Sequence, residues 1–204
     1  MSDPASERSE LVATLRGRIG SERVLEAIAQ VPRHRYVPSD DRDAAYEDTP
    51  LLIGHGQTIS QPYMVAKMAE LADLGPGKRV LDIGTGSGYA AAVFAATGAH
   101  VVGVERIEAL ARLSAERLAP LGVEVHHADG RQGWEAGAPY DAILVGAATR
   151  HVPSPWFRQL AEDGVLVTPV GPPDGVQELL RFTREPWGSW KRERICAVAF
   201  VPLV

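Results

Sequence analysis

Cysteine is nearly absent. The one thiol, Cys196, sits in the apolar run ICAVAFV, so no internal disulfide can form and the fold must hold without covalent staples. Its expected role is that of a small buried hydrophobe. Basic charge is also short. Lys and Arg number 21 against 26 Asp and Glu, and the formal charge of −5 leans away from a nucleic-acid partner. No apolar run approaches the ~20 residues that span a bilayer. The opening MSDPASERSE is polar, with no apolar stretch of the signal-peptide kind, so the cytoplasm is the expected compartment. Metal-ligand spacing is missing too. His126 and His127 are adjacent and point to opposite faces of a strand, and no other His, Cys or acid cluster is spaced as a ligand set. No metal is therefore expected. What is present is a composition of 45% hydrophobic and 23% charged residues over 204 positions, enough for one large α/β domain or a domain with a short appendage.

Periodicity divides the chain in two. Residues 8–31 carry apolar positions at helical spacing (Leu11, Leu15, Ile19, then Val24, Leu25, Ile28), with Gly20 and Ser21 between two helices and Ser21 placed to cap the second. VPRHRYVPSD ends helix with its prolines, and the stretch from Ala44 to Ser60 reads as irregular. A helix resumes at Gln61, with Pro62 in its first turn, and GPG at 75–77 closes it. From there strand and helix alternate. RVLDIG, HVVGVE, VEVHHA, YDAILVG and GVLVTPV read as strands, with helices at 88–97, 107–119 and 155–162 between them. VQELLRFTR and RICAVAFV read as a closing antiparallel pair. Strands separated by helices imply a mostly parallel sheet of seven strands with helices on both faces. The expectation is a helical appendage over 1–75, packed on an α/β domain over 76–204.

The clearest ligand motif is VLDIGTGSGY. Gly84, Gly86 and Gly88 follow a strand and open a helix, where bare backbone and unpaired N–H groups can meet a ligand. Glu105 ends the next strand about 20 residues later, placed to accept from both hydroxyls of a ribose. A dinucleotide loop wants a small residue where this chain has Tyr89. Asp82 adds negative charge that repels a pyrophosphate and suits a cationic amino-acid tail. The combination favours S-adenosylmethionine over a nicotinamide or flavin nucleotide. A tight strand–helix turn with no ligand stays open as a third reading. Asp129 and Gly130 follow the third strand. Asp129 can accept from the exocyclic amine of adenine, or the pair can be a plain Asp-Gly turn.

One polar stretch has no place in this scheme. GHGQTISQP (54–62) contains nothing that looks like core, yet stands before a helix that should reach the same sheet edge as the glycine loop. By chemistry alone Ser60 is equally an N-cap for that helix or a functional hydroxyl.

Taken together, YEDTPLLIGHGQTISQPYMVAKM, RVLDIGTGSGYAAAV, VVGVERIEALA, ADGRQGW, APYDAILVGAA, LAEDGVLVTPVG and AFVPL resemble the protein-L-isoaspartate O-methyltransferase family. VLEAIAQVPRHRYVP resembles that family's N-terminal region, so the likeness runs from about residue 10 to the end. The resemblance implies a Rossmann-like class I S-adenosylmethionine-dependent methyltransferase fold. It implies transfer of a methyl group to the free α-carboxylate of isoaspartyl residues in damaged proteins and peptides, as the first step of repair through a succinimide. It also implies a cytoplasmic enzyme that works as a monomer. Ser60 takes the place of the family's active-site serine. The family's cofactor contacts fall on Thr58, Ile59 and Ser60, on Gly84, Thr85, Gly86, Ser87 and Gly88, on Glu105, and on Asp129 with Gly130. Asp82 and Arg106, beside the loop and the acid, complete the expected cofactor set.

Two segments depart from the family pattern. GAATRHVP replaces an alanine-rich loop after the fourth strand, leaving Arg150 and His151 to face solvent or the substrate carboxylate. EDG replaces a double glycine before the fifth strand and reads as a neutral loop change. Three rival functions keep some of the same residues. A peptide-tailoring Asp methyltransferase would carry an extra C-terminal segment. A small-molecule or RNA methyltransferase would show a catalytic base or a basic groove. A non-catalytic adenosyl-binding module would bind the ligand without transferring the methyl group.

Overall fold

Successive residues of a strand face opposite sides of its sheet, so unbroken apolar strands imply a sheet covered on both faces. The computed structural model, which describes residues 3–204, shows that arrangement. Met1 and Ser2, the first residues of the polar opening and of the expected 1–75 appendage, lie outside the described residues. The chain forms α1 (Pro4–Arg16), α2 (Glu22–Gln30), β1 (Leu51–Gly54), β2 (Gln57–Ile59), α3 (Pro62–Leu71), β3 (Arg79–Ile83), α4 (Tyr89–Ala96) and β4 (His100–Glu105). It continues through α5 (Glu108–Leu118), β5 (Glu124–His127), β6 (Tyr140–Val145), α6 (Ser154–Gln159), β7 (Leu160–Val170), β8 (Gln177–Arg184) and β9 (Trp190–Val198). Seven strands form one sheet in the order β5-β4-β3-β6-β7-β8-β9. The first five are mutually parallel, and β8 and β9 run antiparallel to their neighbours.

The two faces of the sheet carry separate cores. Val80, Ala142, Leu144 and Val167 join Leu15, Leu25, Ile28 and Val65, so the N-terminal helices and one sheet face share a single apolar cluster. Leu81, Ile83, Ile143, Val145 and Leu166 face the other way, onto Trp156 and Phe182. Each buried Leu or Ile contributes about 1.5–3 kcal/mol through its removal from water. Tyr89 belongs to the first cluster. Its ring meets Tyr36 edge-on at 5.8 Å, and so ties the helix after the glycine loop to the N-terminal segment.

Five local expectations change. The stretch before α3 is not irregular. β1 and β2 pair antiparallel as a hairpin, with Leu51 opposite Ile59 and Leu52 opposite Thr58. Its turn passes through Gly54, His55 and Gly56 at φ of 88°, 54° and 70°, a left-handed run that glycine on both sides makes affordable. Ile59, inside the polar stretch, is core at 3% exposure. The helix expected over 155–162 ends at Gln159, because β7 starts at Leu160, pairs with Tyr140 and absorbs a register shift before Ala142. Glu162 and Asp163 of the EDG segment therefore lie in a strand rather than a loop. Cys196 is only half-buried, since β9 is the edge of the sheet.

Candidate active site

The chain reverses direction across the sheet between β3 and β6, the place where open α/β sheets form a crevice at the carboxyl ends of their strands. The loops that follow β3 and β6 meet there, and Gly146 N–H donates to the Ile83 carbonyl at 2.8 Å. A cleft of about 480 Å³ opens at this point. Six of the expected residues line it: Thr58, Gly84, Gly86, Glu105, Arg106 and Gly130. Gly130 cannot be larger: a Cβ there would stand 2.5 Å from Ile83 Cγ2 and 3.8 Å from Leu203 Cδ1.

Glu105 is held as an acceptor. Its Oε2 takes the Gly86 N–H at 2.9 Å and its Oε1 takes the Ile107 N–H at 2.8 Å. Each oxygen keeps a lone pair, so the carboxylate can still receive a pair of vicinal hydroxyls. The loop residues between the glycines turn inward. The Thr85 hydroxyl donates to the Asp82 carbonyl at 3.2 Å, and the Ser87 hydroxyl accepts the Tyr89 N–H at 3.4 Å. Gly88, at φ 91°, is the N-cap of α4. Asp82 is 2% exposed, and its Oδ2 has no partner among the described residues. Burial pushes its carboxyl up to about 7; the Thr85 hydroxyl opposes this and the Glu105 charge adds to it. Asp129 lies outside the cleft. Hydrogen bonds from Arg131 occupy both its oxygens and hold it below the ordinary carboxylate range.

A second cleft, of about 970 Å³, adjoins the first. Thr58 lines both. Ser60 and Gln61 line the second, together with Pro50, Met64 and the β9 end from Ala197 to Phe200. Its walls carry no Lys, Arg, His, Asp or Glu. Ser60 does not cap α3. The N-cap is Gln61, whose side chain makes no cap bond, and the Tyr63 N–H is taken by Asp48 Oδ1 at 2.8 Å. Asp48 Oδ2 also receives Gln61 Nε2 at 3.0 Å. The Ser60 hydroxyl makes no hydrogen bond among the described residues and stays half-buried at the cleft wall.

The first cleft also holds residues that the motifs did not announce. Ala147 follows β6, and Val201, Pro202, Leu203 and Val204 form an apolar wall. Ala148 fastens that wall, donating to the Val201 carbonyl at 2.8 Å and accepting from Leu203 at 2.7 Å. AFVPL was visible as a segment, but apolar residues with no periodicity give no signal of a binding wall. Of the two histidines, His126 stacks on Trp134 at 3.9 Å and His127 bonds the Arg106 carbonyl at 3.0 Å, so they part. Arg150 and His151 line neither cleft.

Comparison with known proteins places this arrangement. The family model described as protein-L-isoaspartate(D-aspartate) O-methyltransferase matches residues 6–204. A protein-L-isoaspartate O-methyltransferase 1 from Rhodopseudomonas palustris (strain HaA2) is 49% identical, over 98% of this chain and 84% of its own. A protein-L-isoaspartate O-methyltransferase from Synechococcus sp. (strain JA-2-3B'a(2-13)) is 51% identical, over 100% of this chain and 88% of its own. Among solved structures, a Plasmodium falciparum chain assigned as a protein-L-isoaspartate O-methyltransferase, in complex with S-adenosyl-L-homocysteine, superposes with TM-score 0.85 at 30% identity. That match covers 100% of this chain and 99% of the other. Likeness of this extent, over both the adenosyl-type cleft and the hairpin that carries Ser60, is more than a shared fold: the chain belongs to the protein-L-isoaspartate(D-aspartate) O-methyltransferase family.

Proposed function

We infer that this chain methylates the free α-carboxylate of L-isoaspartyl residues in damaged proteins and peptides, with S-adenosyl-L-methionine as the methyl donor. The observation that carries the reading is the pair of clefts that meet at Thr58, one with a glycine-rich wall and Glu105, the other uncharged and bordered by a free hydroxyl. The donor's chemistry fits the first cleft. Glu105 would hold the ribose hydroxyls, and Gly84 and Gly86 would let the ligand lie against the backbone. Asp82 does not line the cleft but precedes Gly84 by two residues, and once ionised it would add negative charge suited to an ammonium group. When bound, S-adenosyl-L-methionine supplies a methyl group made electrophilic by its sulfonium, and its transfer to a carboxylate oxygen leaves a methyl ester and S-adenosyl-L-homocysteine.

The second cleft suits the acceptor for a reason of charge. A carboxylate is already an anion near pH 7, so no general base is needed, and the cleft wall provides none. An uncharged wall also leaves the carboxylate poorly solvated, which favours a reaction in which opposite charges cancel. The chain's task is then to hold one carboxylate oxygen in line with the methyl carbon. Ser60 donates to the carboxylate and fixes that line, with Thr58 beside it at the junction. In the product, the neighbouring main-chain nitrogen attacks the ester carbonyl and expels methanol, closing a succinimide whose hydrolysis returns some normal aspartate. The enzyme acts as a monomer in the cytoplasm, as the family resemblance implies.

Two matched peptides test the reading, one isoaspartyl and one aspartyl, incubated with methyl-labelled donor. Base-labile label is expected on the isoaspartyl peptide alone. Ser60→Ala should lower kcat by about 10–100-fold, the scale of a misplaced reacting group. Its affinity for S-adenosyl-L-homocysteine should stay within about threefold, a shift below 1 kcal/mol. Equal losses in both, or label on neither peptide, would sink it.

A further inference from the structure

A buried cation with no carboxylate partner is costly, so its hydrogen bonds reveal what it is kept for. Arg33 is such a cation. It lies in the short 3-10 turn Arg33–Arg35 at 0% exposure and forms no ion pair among the described residues. Its Cζ stands 5.5 Å from the centre of the Tyr89 ring, and its Nε finds no partner. Its other nitrogens face three main-chain carbonyls, two from the loop at 45–49 and one from Ser60. Nη1 donates to Ala45 at 2.7 Å. Nη2 donates to Thr49 at 3.0 Å and to Ser60 at 3.0 Å.

The last two bonds lead to the acceptor cleft. Ser60 lines it, and Thr49 precedes Pro50, which lines it as well. Both carbonyls lie outside helix and strand, so no ladder fixes them. Arg33 Nη2 is the sole donor to either among the described residues. One nitrogen therefore bridges two of the chain segments that border the cleft. The Ser60 hydroxyl has no hydrogen bond of its own to set its place, so its main chain must do so.

We propose that Arg33 is a positioning residue for methyl transfer: its guanidinium clamps the carbonyls of Thr49 and Ser60 and so sets where the Ser60 hydroxyl meets the substrate carboxylate. The proposal rests on the role given to Ser60 above, as donor to the substrate carboxylate. Arg33 touches neither cleft itself, so its effect passes through the main chain. A planar guanidinium can hold two carbonyls with one nitrogen and a third with the other, in a fixed fork. Lysine offers one rotatable ammonium, which reaches fewer of the three and fixes none in direction.

The test compares Arg33→Lys, Arg33→Met and Ser60→Ala in the full chain. Each is assayed for kcat and KM on an isoaspartyl peptide, for S-adenosyl-L-homocysteine affinity, and for thermal midpoint. Arg33→Lys should lower kcat by about tenfold or more while ligand affinity stays within about threefold of the parent. Arg33→Met should lower kcat further, and both losses should persist well below the thermal midpoint. A merely structural role would move the midpoint and the ligand affinity together and leave kcat of the folded enzyme unchanged. That result overturns the clamp. So does failure of both Arg33 variants to fold, which would assign the residue to folding alone. A parental kcat in Ser60→Ala would instead overturn the reading on which the clamp rests. A slow Ser60→Ala beside a normal Arg33→Lys overturns the clamp alone.

Discussion

Asp82 is the residue at which chemistry and stability oppose each other most plainly. It sits two positions before Gly84, buried, with one oxygen unpartnered. Its carboxyl is pushed from 3.8 up to about 7, chiefly by burial. The folded protein therefore holds a proton that the unfolded chain has already released above pH 3.8. Stability from this group is present below that value, falls as pH rises, and is fully lost once pH passes about 7. In the ligand-free protein, denaturant midpoints measured from pH 4 to 8 should fall more steeply for the parent than for Asp82→Asn, which cannot ionise. The divergence should reach the order of a few kcal/mol at pH 8. Parallel curves would mean that Asp82 is solvated or paired. At this scale the sequence was informative where a residue's own chemistry decides its use. Glu105 and Gly84 announced themselves by type and spacing, and both line the first cleft. It was less informative where a neighbour intervenes: nothing in ADGRQG says that Arg131 will occupy both oxygens of Asp129.

Helix ends show the same limit for elements. Two caps were read from local sequence, Ser21 for α2 and Ser60 for α3. Ser21 does occupy the N-cap of α2, but its side chain makes no cap bond. In both places a carboxylate from a distance takes N–H groups at the helix entrance. Glu70 Oε1 accepts the N–H of Gly20 at 2.6 Å and of Ser21 at 3.1 Å, reaching back from α3 to the start of α2. Asp48 does the same for the start of α3 and also anchors Arg18, whose guanidinium lies 3.5 Å over the Tyr63 ring. The hairpin of β1 and β2 escaped reading for a related reason. Its strands are four and three residues long, too short for a period to show, and its register is set by the glycine-flanked turn. Asp48 thus ties the start of α3 to Arg18, in the turn between α1 and α2. Asp48→Ala should cost about 1–3 kcal/mol, the loss of a cap and of a charged hydrogen bond. For a chain of this length that is roughly a 2–10 °C drop in thermal midpoint. Asp48→Asn keeps one acceptor and should fall between the two. A midpoint for Asp48→Ala equal to the parent's would show that the α3 N-terminus is satisfied without it.

For the whole molecule, the alternation of strand and helix was enough to foresee a mostly parallel sheet with a closing antiparallel pair, because crossover connections are right-handed and short. It placed the glycine loop at the carboxyl edge of that sheet. It did not foresee that the chain returns to this edge after β9 and seals it. That closure depends on Ala148 meeting Val201 and Leu203, residues brought together only by the complete sheet. The tail is pinned just before it reaches the cleft, since Gln177 accepts the Phe200 N–H at 2.7 Å and returns a bond to the Phe200 carbonyl at 3.2 Å. Removal of residues 201–204 should therefore leave the sheet and its anchor intact while it strips one apolar wall from the first cleft. Affinity for S-adenosyl-L-homocysteine should fall by about tenfold or more, since even one large side chain taken from an apolar wall is worth about 1.5–3 kcal/mol. The thermal midpoint without ligand should move by only a few degrees. Leu203→Ala should give a smaller loss of the same kind, because Leu203 is the wall residue that approaches Gly130. If the shortened chain bound the ligand as tightly as the parent, the wall would be incidental and the cleft would hold its ligand by the glycine loop and Glu105 alone.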